Sequence, residues 1–191
     1  MSTAKKSLII IGVFVLIVIF SLYSLFKGNY NKFVSLDEGV RSAWSQVENQ
    51  LQRRYDLIPN LVETVKGYAK QEKNVLTEVT NARSRVGGAG SVPDKIAANN
   101  ELSGALSRLL MVVERYPDLK SNQNFMRLQD ELAGTENRIA VERRRYNEAV
   151  QSYNVAVRSF PANVVAGIFG FQKAPFFEAP ASAKATPQVK F

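Results

Sequence analysis

The chain has 191 residues with no cysteine and no histidine, and 25 basic against 17 acidic side chains give a formal charge of +8. Without histidine or cysteine there is no Ser-His or Cys-His nucleophile pair, no disulfide, and no imidazole or thiolate metal site. Catalysis would have to rest on carboxylates, Lys, Tyr or Ser. The missing cysteines leave the compartment open.

Leu8 to Phe26 reads LIIIGVFVLIVIFSLYSLF, 19 residues without a charge, bounded by Lys5 and Lys6 before it and Lys27 after it. At about 1.5 Å per residue a helix of this length covers the hydrocarbon core of a bilayer. A cleaved signal peptide shares the basic start and apolar run, but this run exceeds the usual apolar region of about 7–15 residues and no small-residue cleavage pair follows it. The expectation is a transmembrane helix at 8–26 after a short extension at 1–7, with lipid as its partner. Orientation stays open, because Lys5, Lys6 and the α-amino group on one side balance Lys27, Lys32 and Arg41 on the other.

The net charge divides along the chain. Residues 1–27 carry +3, residues 160–191 carry +2, and residues 28–159, with 19 basic and 16 acidic side chains, only +3. A nucleic-acid binder gathers its charge on one face. Here the signs alternate as on a solvated helix surface, and Arg143, Arg144 and Arg145 point about 100° apart on a helix. No nucleic-acid partner is expected.

From Phe33 onward apolar residues recur in steps of three and four: Phe33, Val40, Trp44, Val47, Leu51, Ile58, Leu61, Val65, Tyr68, Val75, Val79, Ala82, Val86, with Asp37, Arg54 and Glu72 filling the gaps. This is a helical seam of near-heptad period. Pro59 lies inside it, removing one backbone donor and crowding the Tyr55 carbonyl. It implies either a kink in one helix or a break, with Asp56 capping a new helix. Gly87 to Pro93 (GGAGSVP) reads as a turn; no Lys-Ser/Thr pair follows to make a phosphate loop. Asp94 opens a shorter helix that stops near Tyr116, before Pro117. The last long helix starts near Asn122 with the seam Phe125, Leu128, Leu132, Thr135, Ile139, Glu142, Tyr146, Ala149, Tyr153, Ala156, Phe160, and Pro161 ends it. No stretch has strand periodicity. The predicted fold is all-α: a transmembrane helix, then an elongated antiparallel bundle of three or four long helices over 27–160.

Arg54, Glu72 and Glu142 occupy seam positions. They either reach the surface along their aliphatic stems or fix helix register, Arg54 by pairing with a seam carboxylate such as Glu142. A di-iron bundle would need Glu-x-x-His on two helices, so neither metal nor other cofactor is expected, and no catalytic residue is assigned. Residues 161–179 (PANVVAGIFGFQKAPFFEA) are rich in Phe. They either cover the end of the bundle core or form a docking segment through Phe169, Phe171, Phe176 and Phe177 for a partner, a second copy or the membrane surface. Residues 180–191 read as a disordered tail.

The blocks YNKFVSLDEGVRSAWSQVENQLQRRYDLIPNLVETVKGYAKQEKNVLTEVTNAR (Tyr30 to Arg83), ELSGALSRLLMVVERYPDLKSNQNFMRLQDELAGTENRIAVERRRYNEAVQSYNVAVRSFP (Glu101 to Pro161) and GIFGFQKAPFFEA resemble the LemA family. LIPNLV, ERYPDLK and ENRIA…YN together are specific to that family. The resemblance implies a single-pass protein of the bacterial cell (inner) membrane with an antiparallel helical bundle. It supplies no catalytic residues. The functional expectation is a membrane-anchored scaffold or adaptor, not an enzyme, acting through a protein partner or self-association. The alternative is a membrane sensor relaying a stress or ligand state to a partner.

Overall fold

The computed structural model describes residues 3–178, with side chains from Ile11 onward. The expected tail at 180–191 and the side chains of the expected extension at 1–7 lie outside the described residues. Among the described residues the chain is helical without strands: α1 (Thr3–Tyr68), α2 (Lys73–Gly88), α3 (Val92–Val113), α4 (Pro117–Lys120), α5 (Gln123–Arg158) and α6 (Ala162–Phe169). Two compact units are distinguished. One draws on α1 up to Arg41 together with Ala149–Ala174, the other on Ser42–Glu148 together with the chain from Pro175.

The second unit is an up-down-up-down four-helix arrangement. In α1 the buried residues Trp44, Val47, Leu51, Arg54, Ile58, Leu61 and Val65 follow alternating steps of three and four, which puts them on one stripe. The chain leaves the helix at Ala69–Glu72 and α2 returns along α1, so that Arg83 lies over the Tyr55 ring at 3.9 Å. α3 then runs antiparallel to α2, with Arg85–Glu101 (2.5 Å), Arg108–Glu78 and Arg115–Glu72 (2.9 Å) rung by rung. α5 descends against α1, marked by Asn122 to Tyr68 (2.9 Å), Arg53 to Glu131 (2.8 Å) and Arg138 to Gln50 (3.2 Å). Between them lies a core that includes Ile58, Leu61, Val65, Val79, Leu102, Leu109, Leu119 and Phe125, all essentially inaccessible.

Pro59 does not break α1, which continues to Tyr68. A proline in a helix interior costs about 3 kcal/mol because it leaves the carbonyl four residues back without its donor and crowds it. Here that carbonyl belongs to Tyr55, and it accepts a bond from Arg83 Nε at 3.3 Å. The neighbouring helix supplies the donor that proline lacks.

The reversal of the chain, at Ala69–Glu72, is one that the seam does not announce. Ala69 is buried and Tyr68 about half exposed, and beyond the turn Leu76, more than Val75, faces the core. The four-residue connection returns the chain almost in phase, so a persisting register does not mean a continuous helix. Other boundaries also move. α2 runs through Gly87 and Gly88, and α3 starts at Val92, capped by Ser91, whose hydroxyl accepts from the Asp94 amide at 3.2 Å. Pro117 opens the single turn α4. Asn122 caps α5, its Oδ1 accepting from Phe125 N at 3.0 Å.

In the first unit, α1 from Ile11 to Leu25 is apolar and exposed on every side. It is the one helix among the described residues long and apolar enough to cross a membrane. Farther along, Phe33 and Val40 are buried, as are Val150, Tyr153, Ala156 and Val157 of α5. Phe160, placed on the seam by its spacing, is 85% exposed because α5 ends at Arg158 and the helical phase ends with it. α6 follows and is closed by Gly170 at φ 75°, the left-handed conformation that glycine adopts without a Cβ penalty.

The carbonyl relay at Pro59 yields a double-mutant prediction. Arg83→Met should lower stability by about 1–3 kcal/mol, the value of a hydrogen bond to a charged group in part-buried surroundings. In a Pro59→Ala background, position 59 regains a backbone N–H that can serve the Tyr55 carbonyl, and the same substitution should cost distinctly less. Urea denaturation of the four proteins in mild detergent, followed by circular dichroism, checks this. Equal costs in both backgrounds would refute the relay.

Candidate functional site

Among the described residues no group of three or more acidic side chains is placed to hold a metal ion. The residues singled out by the sequence are polar groups on the helical seams and the phenylalanines of the C-terminal segment.

Arg54 is the central junction of the four-helix unit. It occupies a core stripe position on α1, and its side chain is only 6% exposed. NH1 reaches Glu136 of α5 at 2.8 Å, and NH2 donates to the Ser103 hydroxyl of α3 at 2.9 Å. The Ser103 hydroxyl in turn donates to the Asn99 carbonyl at 3.0 Å. Burial pulls the guanidinium below its ordinary pKa, and Glu136 opposes that shift. The partner is thus Glu136 and not Glu142, which lies nearly two turns farther along α5 and binds Arg145 on its own helix at 2.8 Å. Spacing does not single out Glu136, because it lies one residue off the apolar seam, beside Thr135. A long guanidinium stem reaches such a flanking carboxylate more easily than one directly opposite.

Glu72 closes a different joint. It stands at the start of α2, and its Oε1 accepts from Arg115 at 2.9 Å and from the Tyr116 hydroxyl at 3.0 Å. That hydrogen bond holds the Tyr116 phenol above its usual pKa. Glu72 therefore ties the beginning of α2 to the end of α3. Arg54, Glu72 and Glu142 do not converge on one place.

The four phenylalanines separate. In the four-helix unit Phe177 is buried beside Trp44 (centroids 6.4 Å), with the Arg143 guanidinium 4.5 Å over its ring, and Phe176 points outward. Trp44 also meets Tyr146 edge-on at 5.3 Å. The Tyr146 hydroxyl donates to the Pro175 carbonyl at 2.8 Å, and burial raises its pKa. Asn147 grips the Phe177 backbone with both ends of its amide: Nδ2 donates to the carbonyl at 3.1 Å, and Oδ1 accepts from the amide at 2.8 Å. In the other unit Asn154 does the same to Ala174, at 2.9 Å in both directions. There Phe171 packs on Phe33 (5.2 Å) and Tyr30 (5.7 Å), while Phe169 touches Tyr30 at 4.9 Å and stays half exposed. A side-chain amide carries one donor side and one acceptor side, so it can pair with a peptide unit as a neighbouring strand would. The signal for these clamps is in the sequence: the pair Tyr-Asn recurs seven residues apart, at 146–147 and 153–154.

Two sets of substitutions test these junctions. Removing Glu136 leaves a buried guanidinium without its counter-charge, whereas Arg54→Met removes the charge itself. Because the Glu136 carboxylate is itself half exposed, Glu136→Ala should destabilise by about 1–3 kcal/mol, and Arg54→Met by clearly less, in urea titrations. Asn147→Ala should cost about 1–2 kcal/mol, two hydrogen bonds of ordinary net worth. It should also speed chymotryptic cleavage at Phe176 and Phe177, which gel analysis of the fragments would show.

Residues 43–191 match the LemA family. Two proteins of Paramagnetospirillum magneticum, magnetosome proteins MamQ 1 and MamQ 2, are each 30% identical over 175 residues, covering 78% of this chain and 64% of their own length. The chain thus spans just under two thirds of these relatives. Protein LemA of Metamycoplasma hominis is 22% identical over 167 residues, covering 87% of this chain and 76% of its own. The all-α architecture agrees with the resemblance carried by LIPNLV, ERYPDLK and the Tyr-Asn motif, and the family match extends over most of the chain: the protein belongs to the LemA family.

Proposed function

We propose that this protein is a membrane-anchored helical scaffold or adaptor without catalytic activity, held in a bacterial cell (inner) membrane by a single pass at residues 8–26. It works through association with a protein partner or a second copy. The observation that carries the reading is α1 itself. One uninterrupted helix is apolar and exposed on all sides between Ile11 and Leu25, and from Trp44 onward presents a heptad stripe to a packed core. A helix apolar all round has its stable place in lipid, and a bundle with a mixed-charge surface is suited to presenting a face.

A second reading, a sensor, is favoured by a cavity of about 330 Å³ beside Arg54, lined by Leu61, Leu106, Leu110 and Leu132 with Ser103 and Glu136. An apolar recess with a few convergent polar groups is the usual form of a small-molecule site.

Purification of the full chain from native membranes in mild detergent, with mass determination and identification of copurifying chains, tests the proposal. A defined complex or homo-oligomer is expected. Recovery of monomer alone, also after crosslinking in intact membranes, would overturn the scaffold reading. A small molecule copurifying at stoichiometric amount and lost in Leu106→Trp would favour the sensor.

A further inference from the structure

Helix α6 is too apolar for the surface on which it lies. Its inner side is closed off, Val165 and Ala166 being buried. Its outer side should then be polar if it faced water. Instead Val164 is 52% exposed, Ile168 63% and Phe169 50%, and Phe160 just before the helix is 85% exposed. Val164 and Ile168 are four residues apart and so share one face. From Ser159 to Gln172 there is no charged residue, and the stretch is bounded by Arg158 and Lys173. The apolar run at 8–26 has the same outline, between Lys6 and Lys27.

α6 is held in the same compact unit as that run. Phe169 packs on Tyr30, and Phe171 on Tyr30 and Phe33. Tyr30 comes four residues after Phe26, about 6 Å along the helix axis. The outward apolar face of α6 is therefore fixed close to the point at which the apolar surface of α1 gives way to charge. The basic side chains Lys27, Lys32, Arg158 and Lys173 belong to this same part of the chain.

We infer that α6 is a second membrane contact, lying in the headgroup–acyl boundary of an anionic bilayer. Val164, Ile168, Phe169 and Phe160 enter the acyl region, about 5–10 Å deep as for other interfacial helices, and the four basic residues meet lipid phosphates. A second protein copy would also cover an apolar face. Continuity with the α1 apolar surface and the nearby positive charges favour lipid. The inference rests on the reading of residues 8–26 as the anchor.

Because the sequence contains no cysteine, single labels can be placed at will. Full chains carrying Ile17→Cys, Ile168→Cys or Gln151→Cys are labelled with a bimane fluorophore and reconstituted in vesicles of equal parts phosphatidylcholine and phosphatidylglycerol. The phosphatidylcholine is brominated either near the headgroup or near the chain end. The Ile17 probe should be quenched most by the deep bromines and the Ile168 probe most by the shallow ones. The Gln151 probe should escape both, since its helical neighbourhood faces α1 near Asp37, about 16 Å beyond Phe26. An Ile168 probe as unquenched as Gln151, with Ile17 deeply quenched, overturns the α6 inference and leaves the anchor standing. An unquenched Ile17 probe overturns both. Val164→Cys repeats the measurement should Ile168→Cys lose its helical circular dichroism.

Discussion

One carbonyl oxygen, that of Tyr55, joins two helices of this fold. Pro59 deprives Tyr55 of its helical hydrogen bond, and an unsatisfied part-buried carbonyl would favour ending α1 there. Arg83 instead donates to that oxygen while its guanidinium covers the Tyr55 ring. The donor comes from α2, so the passage of α1 through Pro59 and the docking of α2 share one contact. With α1 intact to Tyr68, the stripe from Trp44 to Val65 stays in register, and α3 and α5 have one continuous row of side chains to pack against. Local propensity argues against this helix and a tertiary contact overrides it.

The same logic explains what can be read from the sequence. The helical class, the apolar run at the start and most core positions follow from spacing alone, since a heptad stripe has few other solutions. The reversal at Ala69–Glu72 does not show, because no proline marks it and the connection restores the phase to within one residue. Pro59, the visible breaker, is not where the chain turns. Arg54 is identifiable as a charge on an apolar stripe. Its partner is not, because Glu136 sits beside the stripe, and only the relative rotation of α1 and α5 decides which carboxylate comes into reach. Phe160 departs from its expected place for a simpler reason: periodicity says nothing about a residue once the helix carrying it has stopped.

The Arg54–Glu136 pair has one buried member and one half-exposed member. A cationic side chain in a core that could have held leucine adds little stability, and fixing how helices slide against one another is the role proposed for it. The carboxylates of Glu72, Glu136 and Glu142 lie at separate joints, each matched to a cation. The proposed association and membrane contact would then rest on surfaces: the faces of the four-helix unit, the apolar part of α1 and the outer side of α6.

The two asparagine clamps have one more consequence. Asn147 and Asn154 read peptide groups, not side chains, in the segment they hold. What they require of it is an N–H and a C=O at positions 174 and 177, so the only residue barred outright at those positions is proline. Pro175 stands one step away, where no amide hydrogen is needed, and offers its carbonyl to Tyr146. The segment is thereby free to drift in side-chain identity at its outward positions without losing its attachment, and new specificities could be carried on a stretch whose fastening is indifferent to them.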